Sequence, residues 1–448
     1  MFAKVLIANR GEIALRIART CRGLGIRTVA VYSSEDADAA VLGVTDEAVR
    51  IGPPPAKRSY LSIPAIIGAA RRTGADAIHP GYGFLSEDVD FAEVCTTSGL
   101  TFIGPPAPVL RRLGDKALAR AAMAEAGLPL LPGTVDPVES LAEAQETARE
   151  IGYPVIIKAV GGGGGRGMHV ATTADELPGA YQRGRSDAQA FFGNSQVFLE
   201  RYLPFARHVE VQVLCDGEGR GVHLGERDCS VQRRHQKLIE ETPAPHLPAH
   251  LLDEMKRLAL HGALSVGYVG CCTFEFLVDD RGGFYFLEVN CRIQVEHPVT
   301  EMATGVDLVR EQIRVAAGYP LGFKQEDIVP RGAAIECRVN AEDPERGFVP
   351  TPGLLTEFRP PGGPFVRVDT HGFPGLTISS SYDSLLAKVV VWAPDRDEAI
   401  DRMRAALEEF RVAGVSTTSA FLRRVLDEPA FRQGLHSTAL VEGMTQPG

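Results

Sequence analysis

Glu275 and Glu288 sit in two β-branched and aromatic runs, Thr273–Val278 and Phe284–Val289, on either side of the polar stretch Asp279-Asp280-Arg281-Gly282-Gly283. That pattern reads as an antiparallel hairpin. With Arg281-Gly282 as its loop, Glu275 falls opposite Glu288. Like charges facing each other across a ladder repel. A shared divalent cation reverses the sign, and carboxylate oxygens suit Mg²⁺ with triphosphate completing its shell. Strand alternation puts Asn290 and then Arg292 on the face of Glu288, followed by Gln294 and Glu296 if the chain stays extended. One edge would then carry metal ligands, an anion binder and a base. The competing reading is a solvated polar face in another register.

A second candidate is the run Pro154–Val160, a strand that enters five glycines, Gly161 to Gly165, and leaves through Arg166-Gly167-Met168-His169-Val170 into another strand. No GxxxxGK[ST] is present and no helix follows, so this is not a Walker loop. A glycine hairpin tip can still lay backbone N–H groups over phosphates, with Lys158 and Arg166 adding charge. A flexible surface turn is the alternative. Five glycines lose much entropy on ordering, which favours motion over a ligand.

Further cations occur in Gln232-Arg233-Arg234-His235-Gln236-Lys237, which follows Glu226-Arg227-Asp228-Cys229-Ser230. A solvated charge run is the usual explanation. Phosphate or bicarbonate binding becomes preferable if the run folds against the carboxylate strands. His208, heading the alternating strand Val209–Val213, reads as a satisfied polar residue, and Arg338 in Glu336-Cys337-Arg338-Val339-Asn340 as a surface cation or a ligand binder.

The elements that must position these groups follow from periodicity. Lys4–Ala8, the helical spacing Ile13, Ile17, Ala18, Cys21, and Thr28–Tyr32 form a βαβ pattern that recurs through Ile63–Ala70, Ala75–Ile78 and Leu100–Ile103. A doubly wound parallel sheet is expected there, without a dinucleotide fingerprint, because Asn9-Arg10-Gly11-Glu12 stands where GxGxxG would. Asp115–Ala126 fits a helix, and Gly127–Pro137 reads as a hinge into a small lid ending near Leu203. Beyond Pro204 strands dominate, with helices near Leu251–Ser265, Val306–Ala316 and Asp397–Phe410, giving an α+β region. The expected domains are therefore 1–114, 115–203 and 204–448.

The chain has 448 residues, ordinary globular composition and a formal net charge of −10, which repels nucleic acid in the absence of a local basic groove. Its eight cysteines include no CxxC pair, which argues against a zinc site or disulfide framework. The apolar run Val5–Ala8 is too short for a signal sequence and no stretch of about 18 uncharged apolar residues occurs. A soluble cytoplasmic protein is expected, with no membrane or nucleic-acid partner.

Taken together the motifs resemble the biotin carboxylase family of ATP-grasp enzymes. The resemblance runs from Ile7–Ala14 through His79–Glu87, the glycine loop, Glu226–Lys237, Asn290–Glu301 and Tyr382–Lys388, nearly the whole chain. It implies an ATP-grasp fold with a Rossmann-like N-terminal domain, a lid and a C-terminal mixed-sheet domain. It also implies that ATP phosphorylates bicarbonate to carboxyphosphate, and that N1 of biotin is then carboxylated. On that resemblance Lys116, Lys158, Gly164, Gly165, Glu200, Arg201, Tyr202, Leu203, His208, Gln232 and His235 contact ATP. Glu275, Glu288 and Asn290 hold Mg²⁺ or Mn²⁺. Lys237, Arg292, Gln294 and the Val295 backbone bind bicarbonate, Glu296 is its base, and Arg338 stabilises the biotin enolate.

No Met-Lys-Met string is present and no carboxyltransferase-sized extension precedes Gly448, so biotin is expected on a separate biotin carboxyl carrier protein. The resemblance further implies a homodimer and carboxyltransferase subunits as partners. The subunit of acetyl-CoA carboxylase, serving fatty acid synthesis, is the first reading. A propionyl-CoA or pyruvate carboxylase subunit is the alternative, since the transferase chooses the acceptor. A non-catalytic nucleotide-binding regulator would have no need of Glu296. Cys271-Cys272 and Thr418, which replace small residues and Asn common in relatives, are expected to affect only local packing.

Overall fold

In the computed structural model residues 1–134, 136–160 and 167–445 are described. The apolar run expected as the first strand is β1 (Lys4–Ile7), buried along its whole length. Helix α1 (Gly11–Gly23), strands β2 (Arg27–Ser33) and β3 (Glu47–Gly52), helix α2 (Ile63–Thr73), β4 (Ala77–His79), α3 (Val89–Thr97) and β5 (Thr101–Phe102) follow. Their five strands form one parallel sheet in the order β3-β2-β1-β4-β5. The order reverses beside β1, which opens a crevice at the carboxyl ends of the strands, where ligands bind in such sheets. Asn9, Arg10 and Gly11 leave β1 at that edge.

After α4 (Ala107–Gly114), the Asp115 side chain accepts the Leu118 N–H and so starts α5 (Lys116–Glu125). A three-stranded antiparallel sheet follows, built from α6 (Leu141–Ile151), β6 (Val155–Ala159), β7 (Met168–Ala171), α7 (Leu177–Phe192) and β8 (Val197–Arg201) in the order β7-β6-β8. It has its own small core of Ile157, Leu199, Ala144, Ala180 and Tyr181. Gly184 lets α7 press onto β6, because a Cβ there would meet Ile157 Cγ2 at 2.7 Å. The segment read as a hinge is held at both ends: Phe286 N–H donates to Pro129 O at 2.7 Å and Thr134 N–H to Leu199 O at 2.8 Å. It thus runs from the large sheet onto β8.

That large sheet has eight strands, all antiparallel. Its strands β9 (Arg207–Cys215), β10 (Gly221–Arg233), β11 (Gln236–Thr242), β12 (Gly270–Val278), β13 (Phe284–Asn290) and β14 (Ala333–Asn340) join Leu385–Ala393 and Val366–Thr370. The order is β13-β12-β9-β10-β11-β14, then Leu385–Ala393 and Val366–Thr370. Helix α8 (Ala249–Ser265) covers β9 and β10, and the apolar core there is continuous with that of the parallel sheet through Phe91, Met123, Phe274 and Phe276. Helices α9 (His297–Thr304) and α10 (Leu308–Ala316) lie between the two sheets, and α11 (Arg396–Glu409) and α12 (Ser419–Asp427) close a separate C-terminal core. Among the described residues no helix is long and apolar enough to cross a membrane.

The carboxylate hairpin keeps the expected facing pair by a different route. Glu275 pairs with Glu288, but Phe276 pairs with Phe286, so Leu287 is an extra residue in β13. The turn is one residue longer than Arg281-Gly282: Asp279 N–H donates to Gly283 O at 2.8 Å and Gly283 N–H to Asp279 Oδ1 at 2.6 Å. The bulge absorbs the added residue and restores the register at the glutamates. The extended chain does not continue to Glu296 either: β13 stops at Asn290, and Glu296 is the residue before α9.

Glu301 of α9 ties the architecture together. Arg16 of α1 donates to it at 2.8 Å and Arg367 of the Val366–Thr370 strand at 2.7 Å, with Arg367 also bound to Asp369. Removing one partner leaves two arginines short of a counter-charge in a largely buried place, a loss of about 3 kcal/mol. Glu301→Ala is therefore expected to lower the thermal midpoint by several degrees in scanning calorimetry, well beyond the effect of an exposed pair such as Arg257–Glu254.

Candidate active site

A cavity of about 730 Å³ opens where the parallel sheet, the small three-stranded sheet and the large sheet meet. Its wall includes Lys116, Lys158, Arg201, Tyr202, Leu203, His208, Gln232 and His235 on one side, and Lys237, Glu275, Glu288, Asn290, Arg292, Gln294, Val295 and Arg338 on the other. Glu200 and Glu296 stand behind this wall, each holding one of its cations. Gly164 and Gly165 lie outside the described residues, as does Arg166.

The charged heart of the cavity is set by strand register. Arg227 of β10 pairs with Glu210 of β9, Glu210 with Glu275 of β12, and Glu275 with Glu288 of β13, so one cation and three carboxylates form a row across four strands. Lys237 reaches this row from β11. The residues Arg234 and His235 adopt positive φ in a tight turn, which folds Gln232 and Lys237 back opposite each other. The Lys237 ammonium donates to Glu210 Oε2 at 2.6 Å, Glu275 Oε1 at 2.9 Å and Glu296 Oε1 at 2.6 Å. The run Gln232–Lys237 is therefore no solvated charge stretch: it delivers a cation into a carboxylate cage.

Burial alone would push these carboxyls up, but counter-charges outweigh it. Lys237, Arg338 and Arg227 hold Glu296 well below the usual range, and Lys237 and His208 do the same for Glu275. His208 Nε2 lies 2.9 Å from Glu275 Oε2, and although burial opposes its charge, Glu275 raises its pKa. Glu288 behaves oppositely. Its carboxylate is exposed to the open cavity, and it makes no hydrogen bond with a described residue. Burial and then the Glu275 charge push it up. Among the described residues it is the carboxylate of the row without a cation in contact.

The loop from Cys291 to Glu296 is shaped by contacts outside it. Arg292 Nε donates to Glu87 Oε2 at 2.9 Å, and Cys291 N–H to Glu87 Oε1 at 2.7 Å, so a residue after β4 aims the guanidinium. Its other nitrogens reach Gln294 Oε1 and Asn290 Oδ1, each at 3.1 Å. Gln294 and Asn290 both donate to Glu275 Oε1, at 3.2 and 2.8 Å. Lys388, fully buried, donates to Val295 O at 2.9 Å and contacts Glu12 Oε1 at 2.8 Å. Arg338 is no surface cation: it donates to Glu240 Oε1 at 2.6 Å and Glu296 Oε2 at 2.8 Å. Thr418 braces its strand, its hydroxyl donating to Arg338 O at 3.1 Å and accepting Asn340 N–H at 3.0 Å, a closer link to the site than its sequence context suggests.

On the opposite side Glu200 of β8 joins Lys158 of β6, and accepts from Arg120 of α5 at 2.6 Å. Ile156, Leu203, Leu277 and Leu287 form an apolar slot beside it. Glu210, Glu240, Glu87, Glu12 and Lys388 are the functional-site residues that sequence reasoning left unassigned. Glu210 could have been found, since His208, Glu210 and Gln212 alternate with valines on a strand that is otherwise apolar. Glu87 and Lys388 lie inside motifs already singled out, but nothing in their spacing tells what they touch.

Residues 1–110 match the family described as "Biotin carboxylase, N-terminal domain", 115–324 "Carbamoyl-phosphate synthase L chain, ATP binding domain" and 336–443 "Biotin carboxylase C-terminal domain". The chain is 54% identical over 438 residues to the biotin carboxylase of Pseudomonas aeruginosa, covering 97% of this chain and 96% of that one. A biotin carboxylase–β,γ-ATP complex from Campylobacter jejuni superposes with a TM-score of 0.96 at 44% identity, covering 99% of each chain. The biotin carboxylase domain dimer of 2-oxoglutarate carboxylase from Hydrogenobacter thermophilus, in complex with MgADP, ADP and bicarbonate, gives 0.96 at 45% identity, covering 100% of this chain and 99% of that one.

The cage makes a stability prediction with a definite sign. The raised Lys237 pKa contributes stability that is complete below the unfolded lysine value and lost only as pH climbs through the higher folded value. In Lys237→Met the carboxylates stay buried without that charge, at a cost of about 3 kcal/mol or more near neutrality. Acid relieves it by protonating them. The drop in thermal midpoint relative to wild type is thus expected to be larger at pH 8 than at pH 5 in paired calorimetric scans.

Proposed function

The chain belongs to the biotin carboxylase family, and from that premise we propose that this cavity carries out ATP-dependent carboxylation of biotin with bicarbonate through carboxyphosphate. The observation that carries the reading is the convergence of Lys237, Arg338 and Glu296 beside Arg292 and the facing pair Glu275 and Glu288. A nucleotide-binding protein without chemistry would need no buried carboxylate held between two cations.

The donor set fits a divalent cation. Glu288 offers carboxylate oxygens that no described residue bonds, opposite Glu275 and beside Asn290, in a cavity large enough for a nucleotide. Glu275, Glu288 and Asn290 would hold Mg²⁺ or Mn²⁺, which when bound screens the phosphate charge that phosphoryl transfer redistributes. Lys158, positioned by Glu200, and Lys116 would neutralise phosphate oxygens, with His208, Gln232 and His235 completing the polar wall. The apolar slot of Ile156, Leu203, Leu277 and Leu287 suits a base, and the segment Glu200–Leu203 supplies backbone groups at its edge. The glycine run Gly161 to Gly165, with Gly164 and Gly165 over the phosphates, would close the site against water that hydrolyses carboxyphosphate.

Bicarbonate entering between Lys237, Arg292, Gln294 and the Val295 N–H competes with Glu296 for the Lys237 ammonium. The Glu296 carboxylate loses part of its stabilisation and becomes a stronger base for the bicarbonate proton. A bicarbonate oxygen then takes the γ-phosphoryl group and ADP leaves. Carboxyphosphate breaks into CO₂ and phosphate, the phosphate takes the proton of biotin N1, and N1 attacks CO₂. Arg338 would face the ureido oxygen and offset the charge that forms there.

Biotin would arrive on a carrier protein, in a cytoplasmic homodimer working with carboxyltransferase subunits. The first half-reaction of acetyl-CoA carboxylase is the preferred context, with a 2-oxo-acid or other acyl-CoA carboxylase as the alternative because the transferase selects the acceptor. Product identification with purified carrier and transferase separates these.

ADP release is expected to require bicarbonate and to rise with free biotin. Arg292→Ala and Glu296→Ala should each abolish the bicarbonate-dependent rate while leaving ATP affinity largely intact. ADP release indifferent to both additives overturns the reading. Glu288→Gln removes one anionic ligand, so the Mg²⁺ concentration for half-maximal rate should rise by about tenfold.

A further inference from the structure

Behind Arg338 lies a carboxyl pair that the reaction scheme does not use. Glu336 of β14 is the direct cross-strand neighbour of Glu240 of β11, and both side chains are fully buried. Glu240 Oε1 accepts from Arg338, but Glu240 Oε2 and both oxygens of Glu336 have no donor among the described residues. Nearby cations are committed elsewhere. Lys237 serves Glu210, Glu275 and Glu296, Lys388 serves Glu12 and the Val295 carbonyl, and Arg338 divides itself between Glu240 and Glu296. On the α9 side stands His297, which burial and the Lys388 charge keep neutral and whose Nδ1 is taken by Gln294 O at 2.8 Å.

Three buried acceptors without a donor among the described residues are costly, and two like charges facing across a buried ladder add to that. One proton removes the like-charge repulsion and gives Glu240 Oε2 a donor, leaving a single Glu336 oxygen without one, because a neutral carboxylic acid is a donor as well as an acceptor. We propose that Glu336 is held as a neutral acid that shares its proton with Glu240, and that this makes Glu336 a positioning residue for Arg338 in the biotin half of the reaction. The proton lets Glu240 fix the guanidinium without a second buried charge drawing it away from the ureido oxygen. The inference rests on the proposed biotin carboxylation. Burial pushes Glu240 up to about 7 and Glu336 well above the usual carboxylate range, with Arg338 and Lys388 only partly opposing this. Raising the pH therefore expels the shared proton and places a new negative charge beside Arg338.

The test compares wild type with Glu336→Gln, whose amide donates but cannot ionise, and Glu336→Leu, which cannot donate. The expected results are an alkaline limb of kcat/KM for biotin that moves upward in Glu336→Gln, and a fall of about tenfold in Glu336→Leu. Gln should recover most of what Leu loses, and KM for ATP should move little in either. Should Glu336→Leu fail to fold, infrared difference spectra at neutral pH still decide the matter. A neutral carboxylic acid band present in wild type and missing from Glu336→Gln supports the shared proton. Its absence from the difference spectrum, or an alkaline limb that does not move in Glu336→Gln, overturns it. Wild type whose ADP release ignores biotin refutes the underlying function instead, and the band still reports on the proton.

Discussion

The ammonium of Lys237, enclosed by Glu210, Glu275 and Glu296, is the interaction on which the rest of the site depends. Three carboxylates cannot be gathered in a buried place without a cation, and a lone ammonium cannot be buried without them. The cage therefore exists only if β9, β11, β12 and the loop before α9 are all in register at once. That requirement explains why the sheet is continuous from the carboxylate hairpin to the C-terminal strands. Breaking it between β11 and β14 would separate Lys237 from Arg338, the two cations that hold Glu296.

The same balance prepares the site for substrate. Several cations that could meet an anion already have a protein carboxylate on them: Lys158 has Glu200, Arg292 has Glu87, Arg338 has Glu240 and Glu296. Such pairs keep the side chains ordered in the cavity before any ligand enters, which lowers the reorganisation that binding requires. Glu288 is the exception, a carboxylate facing the cavity with no cation in contact among the described residues.

Architecture divides the chain into separately packed units. The parallel sheet and the large sheet share one apolar core, whereas the β7-β6-β8 unit packs around its own. Lys158 and Glu200 lie on that smaller unit, so its connection through residues 127–134, bonded to β13 and then β8, governs how they face the carboxylate row.

Local pattern settled a good deal of this in the sequence alone. Period-two runs marked β9, β12 and β13, an apolar run marked β1, the βαβ alternation marked the parallel sheet, and long ordered motifs marked the family and its acidic and basic residues. Those features are local, governed by side-chain alternation and turn chemistry within a few residues. The pairing of Glu275 with Glu288 was legible, yet the bulge at Leu287 that preserves it was not, because a compensating pair of irregularities leaves no trace in periodicity. Arg338 and Lys237 looked equally able to be solvated, and only folding decided otherwise. Their partners Glu240, Glu210 and Glu296 lie on other strands and loops, tens of residues away, and a buried charge is recognisable only once its counter-charge is in place.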